Sequence, residues 1–114
     1  METATTKLES LTVNIGNTAL PIEGRRIAHA SNRSVVRMIA DAMGIACDRW
    51  LELNLYVTRD RNFIAQKIHY TIRDNEQTTY EGRVCLDLNE AAEFFGKDWL
   101  SQELFEDCGI DLTI

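Results

Sequence analysis

A chain of 114 residues with 45% hydrophobic and 26% charged side chains is long enough for one folded domain over 1–114, with the first seven residues expected to be flexible, and too short for two. Its net charge of −6 opposes binding a polyanion across the whole surface. No apolar run approaches the ~20 residues of a membrane span, and the start, Met1 to Lys7, lacks the basic-then-apolar pattern of a signal peptide.

In chain order, Leu11, Val13 and Ile15 alternate with polar neighbours, the period of a half-buried strand. Gly16-Asn17 supplies a turn. Residues 18–22 form a short returning segment whose Pro21, lacking an N–H, belongs on an edge or at a strand end. Together they make an N-terminal β-hairpin. Ser31 and Asn32 are good helix caps. Val35, Val36, Ile39, Ala42 and Met43 recur at helical spacing and Gly44 stops the run. This predicts a helix over 32–43, with Arg33, Arg37 and Asp41 on its outer side.

Three strands follow. Residues 50–58 place Leu51, Leu53, Leu55 and Val57 on one side. Residues 63–72 place Ile64, Ile68, Tyr70 and Ile72 together, with Gln66 a misfit. Residues 79–88 place Tyr80, Val84, Leu86 and Leu88 together, with Gly82 leaving a gap. The connections at 59–62 and 74–77 are polar and of hairpin length. The product is an antiparallel meander with one apolar and one wet face. Leu53, Leu55, Ile68, Val84 and Leu86 are expected to face the helix 32–43.

Asn89 then caps a helix over 90–95 that ends at Gly96. Asp98 caps a second over 99–107, with Leu100, Leu104, Phe105 and Cys108 as its inner stripe. Ile110, Leu112 and Ile114 alternate to the end of the chain, which predicts a final short strand whose pairing stays open. The fold class is α+β: hairpin, helix, three-stranded meander, two short helices and a last strand, with the sheet packed on the helix. In element order, a helix followed by a long meander resembles the cystatin-like, sheet-around-helix architectures. That resemblance implies an architecture and no activity.

The three cysteines, Cys47, Cys85 and Cys108, form no CxxC pair. They read as reduced thiols of a cytoplasmic protein and not as a disulfide framework. No disulfide, metal or cofactor is expected. A metal site would have to recruit His29 or His69 from distant segments. His69, on the wet face beside Lys67 and Thr71, could act as a general base if a carboxylate stood near, but no spacing fixes a nucleophile, and a surface histidine is the simpler reading.

Charge is uneven along the chain. Residues 1–80 carry ten basic and nine acidic side chains, net +1, and residues 81–114 carry two and nine, net −7. The acidic third makes Glu90, Glu93, Glu103, Glu106 and Asp107 candidates for contact with a basic protein surface. Carboxylates near helix starts also favour the helix dipole, so solubility alone accounts for several of them. Arg25, Arg26, Arg33 and Arg37 are candidates for an anion contact, without the glycine-rich loop of a phosphate cradle. Tyr56 and Phe63, with Trp50, are candidates for an aromatic anchor on the wet face.

These features rank a non-enzymatic protein-binding domain first: an adaptor, inhibitor or immunity-type factor whose partner is another protein with a basic surface. The alternative is a small ligand-binding or enzymatic domain with a pocket between helix and sheet. Nucleic acid comes last, opposed by the net charge. No membrane contact is expected, and self-association into a homo-oligomer is left open.

Overall fold

The structure, a computed structural model, describes residues 8–107. Eight elements follow one another: β1 (Glu9–Ile15), β2 (Thr18–Ser31), α1 (Arg33–Met43), β3 (Arg49–Thr58), β4 (Phe63–Thr71), β5 (Thr79–Cys85), α2 (Leu88–Phe95) and α3 (Trp99–Asp107). The five strands form one antiparallel sheet in chain order, β1-β2-β3-β4-β5. The strand expected near the end of the chain, over 110–114, and the flexibility expected of residues 1–7 fall outside the described residues.

The hairpin and the meander are not separate units. β2 does not stop near residue 22. It runs on to Ser31, pairing with β1 up to Gly24 and with β3 from Gly24 onward. Pro21 sits where β2 projects beyond the end of β3, so on that side it is an edge position and its missing N–H breaks no ladder. A bulge between Arg26 and Ala28 kinks β2.

The sheet curls. The Gly16 amide donates to the Tyr80 carbonyl of β5 at 2.7 Å. Ile15 fills the space above Gly82, where an added Cβ would lie 2.7 Å from its side chain. The start of the chain therefore folds over β4 and β5, and a buried layer with Val13, Ile64 and Ile68 forms on the inside of the curl.

The register corrects the expected assignment of faces. Leu53 stands opposite Lys67 and Leu55 opposite Ala65, whereas Ile68 stands opposite Glu52 and Val84 opposite Ile64. Leu53 and Leu55 thus lie on one face and Ile68 and Val84 on the other. The leucine face is covered by α2 and α3, not by α1. Its core joins Ala28, Ala30, Leu53, Leu55, Ala65 and Cys85 of the sheet to Ala91, Phe95, Leu100, Leu104 and Phe105 of the helices. Phe95 meets Phe105 edge to face at 6.0 Å. Small Ala28, Ala30 and Ala65 let the helices sit close to the sheet. β5 ends at Cys85, and Leu86, expected in the core, is 71% exposed.

Caps explain the helix ends. α2 starts at Leu88, earlier than expected, because Asp87 and not Asn89 is the cap. Asp87 accepts from the Glu90 amide at 2.9 Å, and Glu90 accepts from the amide of Leu86, the residue before the cap, at 3.2 Å, so the two side chains fasten the helix start from both sides. Asp98 accepts from the Ser101 amide at 2.9 Å and starts α3 as expected. Buried Ser101 donates to the Phe95 carbonyl at 2.9 Å, tying the two helices. Asn32 precedes α1 but does not cap it by its side chain. That side chain accepts instead from the Leu51 amide at 2.7 Å, fastening α1 to β3. α1 lies against β3, the central strand, and is not wrapped by the sheet. Among the described residues no helix is long and apolar enough to cross a membrane.

Candidate functional site

The inner face of the curled sheet buries two amides, Asn54 and Gln66, which the register places side by side. Polar groups so placed cost free energy unless fully bonded. Gln66 donates to the Asn14 carbonyl at 2.8 Å and accepts from Asn54 at 3.0 Å. Asn54 Oδ1 accepts from Arg26 Nη1 at 3.1 Å and lies 2.9 Å from His29 Nδ1. A carbonyl at one end and a guanidinium at the other orient both amides, since the first only accepts and the second only donates. His29 Nδ1 is therefore the donor of its bond to Asn54, because the amide oxygen can only accept. Glu52 completes the group, 3.4 Å from Asn54 Nδ2 and 3.7 Å from His29 Nδ1.

Aromatic residues border this chain. Tyr56 follows Asn54 on the same face, and its hydroxyl pKa is raised, chiefly by burial. Trp50 and Tyr70 stack at 5.3 Å, and the Arg33 guanidinium lies 4.3 Å from the centre of the Trp50 ring on α1's side. Burial likewise raises the Tyr70 pKa, with Glu52 adding to the shift.

Between α1 and the sheet is a cleft of about 570 Å³. Val36 of α1 and Trp50, Leu51 and Tyr70 of the sheet line its apolar side, and Arg49, Thr71 and Glu76 its polar side. The polar wall is self-satisfied. Glu76 pairs with Arg49 and accepts from the Thr71 hydroxyl at 2.8 Å. The Arg49 hydrogen bond, then that of Thr71, lowers the Glu76 pKa from 4.5 to about 2. A carboxylate whose folded pKa lies below its unfolded one adds stability above the unfolded value, and loses it as pH falls through the folded one. The 72–78 connection should therefore stay fastened at pH 4 and loosen only as pH falls toward 2. An NMR titration of the Glu76 carboxylate and the Arg49 Nε–H measures this, and a midpoint near 4.5 for both would show that the pairing does not persist in solution.

α1 holds the largest exposed apolar feature near the cleft. At 100° per residue, Val35, Met38, Ile39, Ala42 and Met43 share one arc, and Arg33, Ser34, Arg37 and Asp41 the other. The helix buries only Ala40 fully. Met38, Ile39 and Met43 are 65%, 52% and 67% exposed, and Ile45 just beyond is exposed too.

The structure separates several residues that the sequence grouped. Tyr56 is on the inner face, whereas Phe63 is on the opposite face, packed against the core under α2 and α3. His69 is opposite Leu51 and Thr79, and its partner is Glu81 at 3.3 Å. α2, with Glu90 and Glu93, lies against β4 and β5, and α3 lies against β2 and β3. Glu90 is occupied by its cap and by Arg83 at 3.8 Å. Glu103, Glu106 and Asp107 do come together, beside His29 and Ser31. Asp107 accepts from the His29 amide at 3.0 Å. The arginines scatter: Arg26 bonds Asn54, Arg33 covers Trp50, Arg37 is on the exposed arc of α1, and Arg25 is opposite Val57. Among the described residues no three His, Cys, Asp or Glu side chains are placed to hold a metal ion. In the sequence the Asn54–Gln66 pair shows only as a glutamine among the apolar positions of residues 63–72. Comparison with known proteins finds no matching family model, no matching curated protein and no matching solved structure.

Proposed function

We propose that this chain is a small acidic, non-enzymatic binding domain that works by contact with another protein, and that α1 is its docking element. One observation carries the reading: a three-turn amphipathic helix leaves most of its apolar arc in water. A helix normally turns such an arc to the core, and a contiguous exposed apolar patch marks an interaction site. Methionines suit an adaptable contact. The partner that fits has an apolar strip with basic residues beside it. The chain carries net charge −6, and among the described residues Glu93, Glu103 and Glu106 enter no ion pair. In this reading the apolar arc sets how long the complex lasts and the carboxylates how fast it forms.

The test uses the full chain and two double variants. Ile39→Glu with Met43→Glu should melt close to wild type, because neither residue is buried, yet release the proteins that wild type captures from cell extract. Glu103→Lys with Glu106→Lys should slow association at low salt and weaken binding in proportion, with dissociation little changed and the melt unaltered. If the first variant captures the same proteins as wild type, α1 is not the docking element.

A second reading, a ligand-binding domain, is favoured by the cleft between α1 and the sheet, whose volume falls within the usual range for small-molecule sites. Arg49 and Glu76 are paired with each other on its polar wall, and His69, beside Glu81, also lines it, so this reading covers a ligand-binding or enzymatic domain.

A further inference from the structure

Arg26 and Glu52 are opposite charges on one sheet face, and both reach the same side chain. Arg26 Nη1 bonds the oxygen end of the Asn54 amide, and Glu52 Oε1 lies at its nitrogen end. They do not pair with each other, and among the described residues Arg26 has no carboxylate partner. Exposed opposite charges gain little from direct pairing. Here a buried amide stands between them, itself fixed by Gln66 and, through it, by the backbone of β1.

Replacing a buried bonded pair by apolar side chains of the same shape can be close to neutral for stability, so stability alone does not call for the two amides. Their effect is to keep a cation and an anion apart at a set spacing, each with bonding capacity left over. Arg26 has donors on the guanidinium edge that Asn54 does not use. Glu52 has its second oxygen. Asn54 is 2% exposed, so the spacer is rigid, while the side chains of His29 and Glu52 remain 36% and 19% exposed. One residue beyond Glu52 on the same face, Trp50 and Tyr70 lead into the cleft beside α1, which gives room for an apolar substituent.

We propose that the Arg26–Asn54–Glu52 arrangement binds a small zwitterion, an amino acid or short peptide charged at both ends, with its carboxylate on the free edge of Arg26 and its ammonium on Glu52. A fixed dipole of this kind favours a ligand carrying the complementary dipole over either ion alone, because a lone ion meets one attractive and one repulsive charge.

The experiment is an NMR titration of the full chain with glycylglycine, with glycine, acetate and methylammonium chloride as separate arms at matched ionic strength. Glycylglycine should shift the His29 ring, Arg26 Nε–H and Asn54 amide signals saturably. Its affinity should exceed that of acetate or methylammonium by roughly tenfold or more, the worth of one added charge-assisted contact. Arg26→Gln and Glu52→Gln, both partly solvent-facing and not expected to unfold the chain, should each reduce glycylglycine to the level of a single ion. Asn54→Asp places a third charge in the gap and should abolish saturation. Equal affinity for acetate and glycylglycine would reduce the site to an anion contact and overturn the proposal, as would shifts unaltered by Glu52→Gln. An absence of saturable shifts with either zwitterion overturns it as well.

Discussion

Replacing Phe105 by alanine is expected to destabilise the protein by about 3–5 kcal/mol. Phe105 is 1% exposed on the inner side of α3. It packs edge to face on Phe95, which itself meets Phe94 at 5.3 Å. The substitution removes ring burial and leaves a cavity between two helices and a sheet, where Ser101 and the Phe95 carbonyl restrict collapse. Domains of this size are stable by only ~5–15 kcal/mol, so the loss is a large fraction of the whole. Urea melts measure it as a lower midpoint at unchanged slope. Ile39→Ala on α1 is the control, because a half-exposed side chain should change stability by no more than about 0.5 kcal/mol. Comparable losses for the two would mean that α1 is covered in solution and that α3 is not the principal lid.

Gly24→Ala is expected to cost about 3 kcal/mol, at the upper end for overpacking. Gly24 is the residue at which β2 pairs with both neighbours, opposite Glu9 on one side and Thr58 on the other. A methyl there would stand 2.2 Å from the Val57 carbonyl oxygen and 3.1 Å from the Thr58 Cα. Both are backbone atoms, so no rotamer change relieves the contact, and the β2–β3 ladder must part. Gly44→Ala gives the comparison. Its added Cβ meets nothing within 4 Å, but its φ of 72° lies in the left-handed region, so the cost is that of conformation alone, ~1 kcal/mol. Thermal melts of the two variants should differ clearly. A Gly24→Ala melt as mild as that of Gly44→Ala would show that the strands separate there with little resistance.

The elements with a single clean period were legible in the sequence. Alternation at Leu11, Val13 and Ile15 identified β1, and the spacing of Leu100, Leu104 and Phe105 gave α3 its bounds. The length of β2 was hidden because Glu23, Gly24, Arg25 and Arg26 interrupt its apolar pattern, while the backbone of that stretch is satisfied by β1 and β3 regardless of side-chain type. The assignment of faces failed for a different reason. β4 has apolar residues on both sides, Ile64 and Ile68 on one and Phe63 and Ala65 on the other. Period two separates two sets without stating which neighbour covers which, and both are covered here: one by helices, the other by the curl of the sheet. Ala28, Ala30 and Ala65 carry no pattern of their own, because their importance lies in being small beneath bulky helix residues. The polar chain on the inner face depends on Asn54 and Gln66 being opposite in register, a long-range fact that no local pattern carries.

All four ladders of the sheet join strands that follow one another along the chain; three of them close across short connections, and the β2–β3 ladder closes across α1, at a loop-closure entropy that grows only slowly with length. The contact of Gly16 with Tyr80 is of another kind, since it brings the first hairpin onto the fifth strand. The topological cost of folding is thus concentrated in one seam, where distant stretches must meet before the interior of the curl is sealed. Residues 14–16 act as the clasp of that seam: Asn14 receives Gln66, Ile15 covers Gly82 and Gly16 reaches Tyr80. The amide that stands between Arg26 and Glu52 is thus tied, through Gln66 and the Asn14 carbonyl, to the same seam that closes the curl.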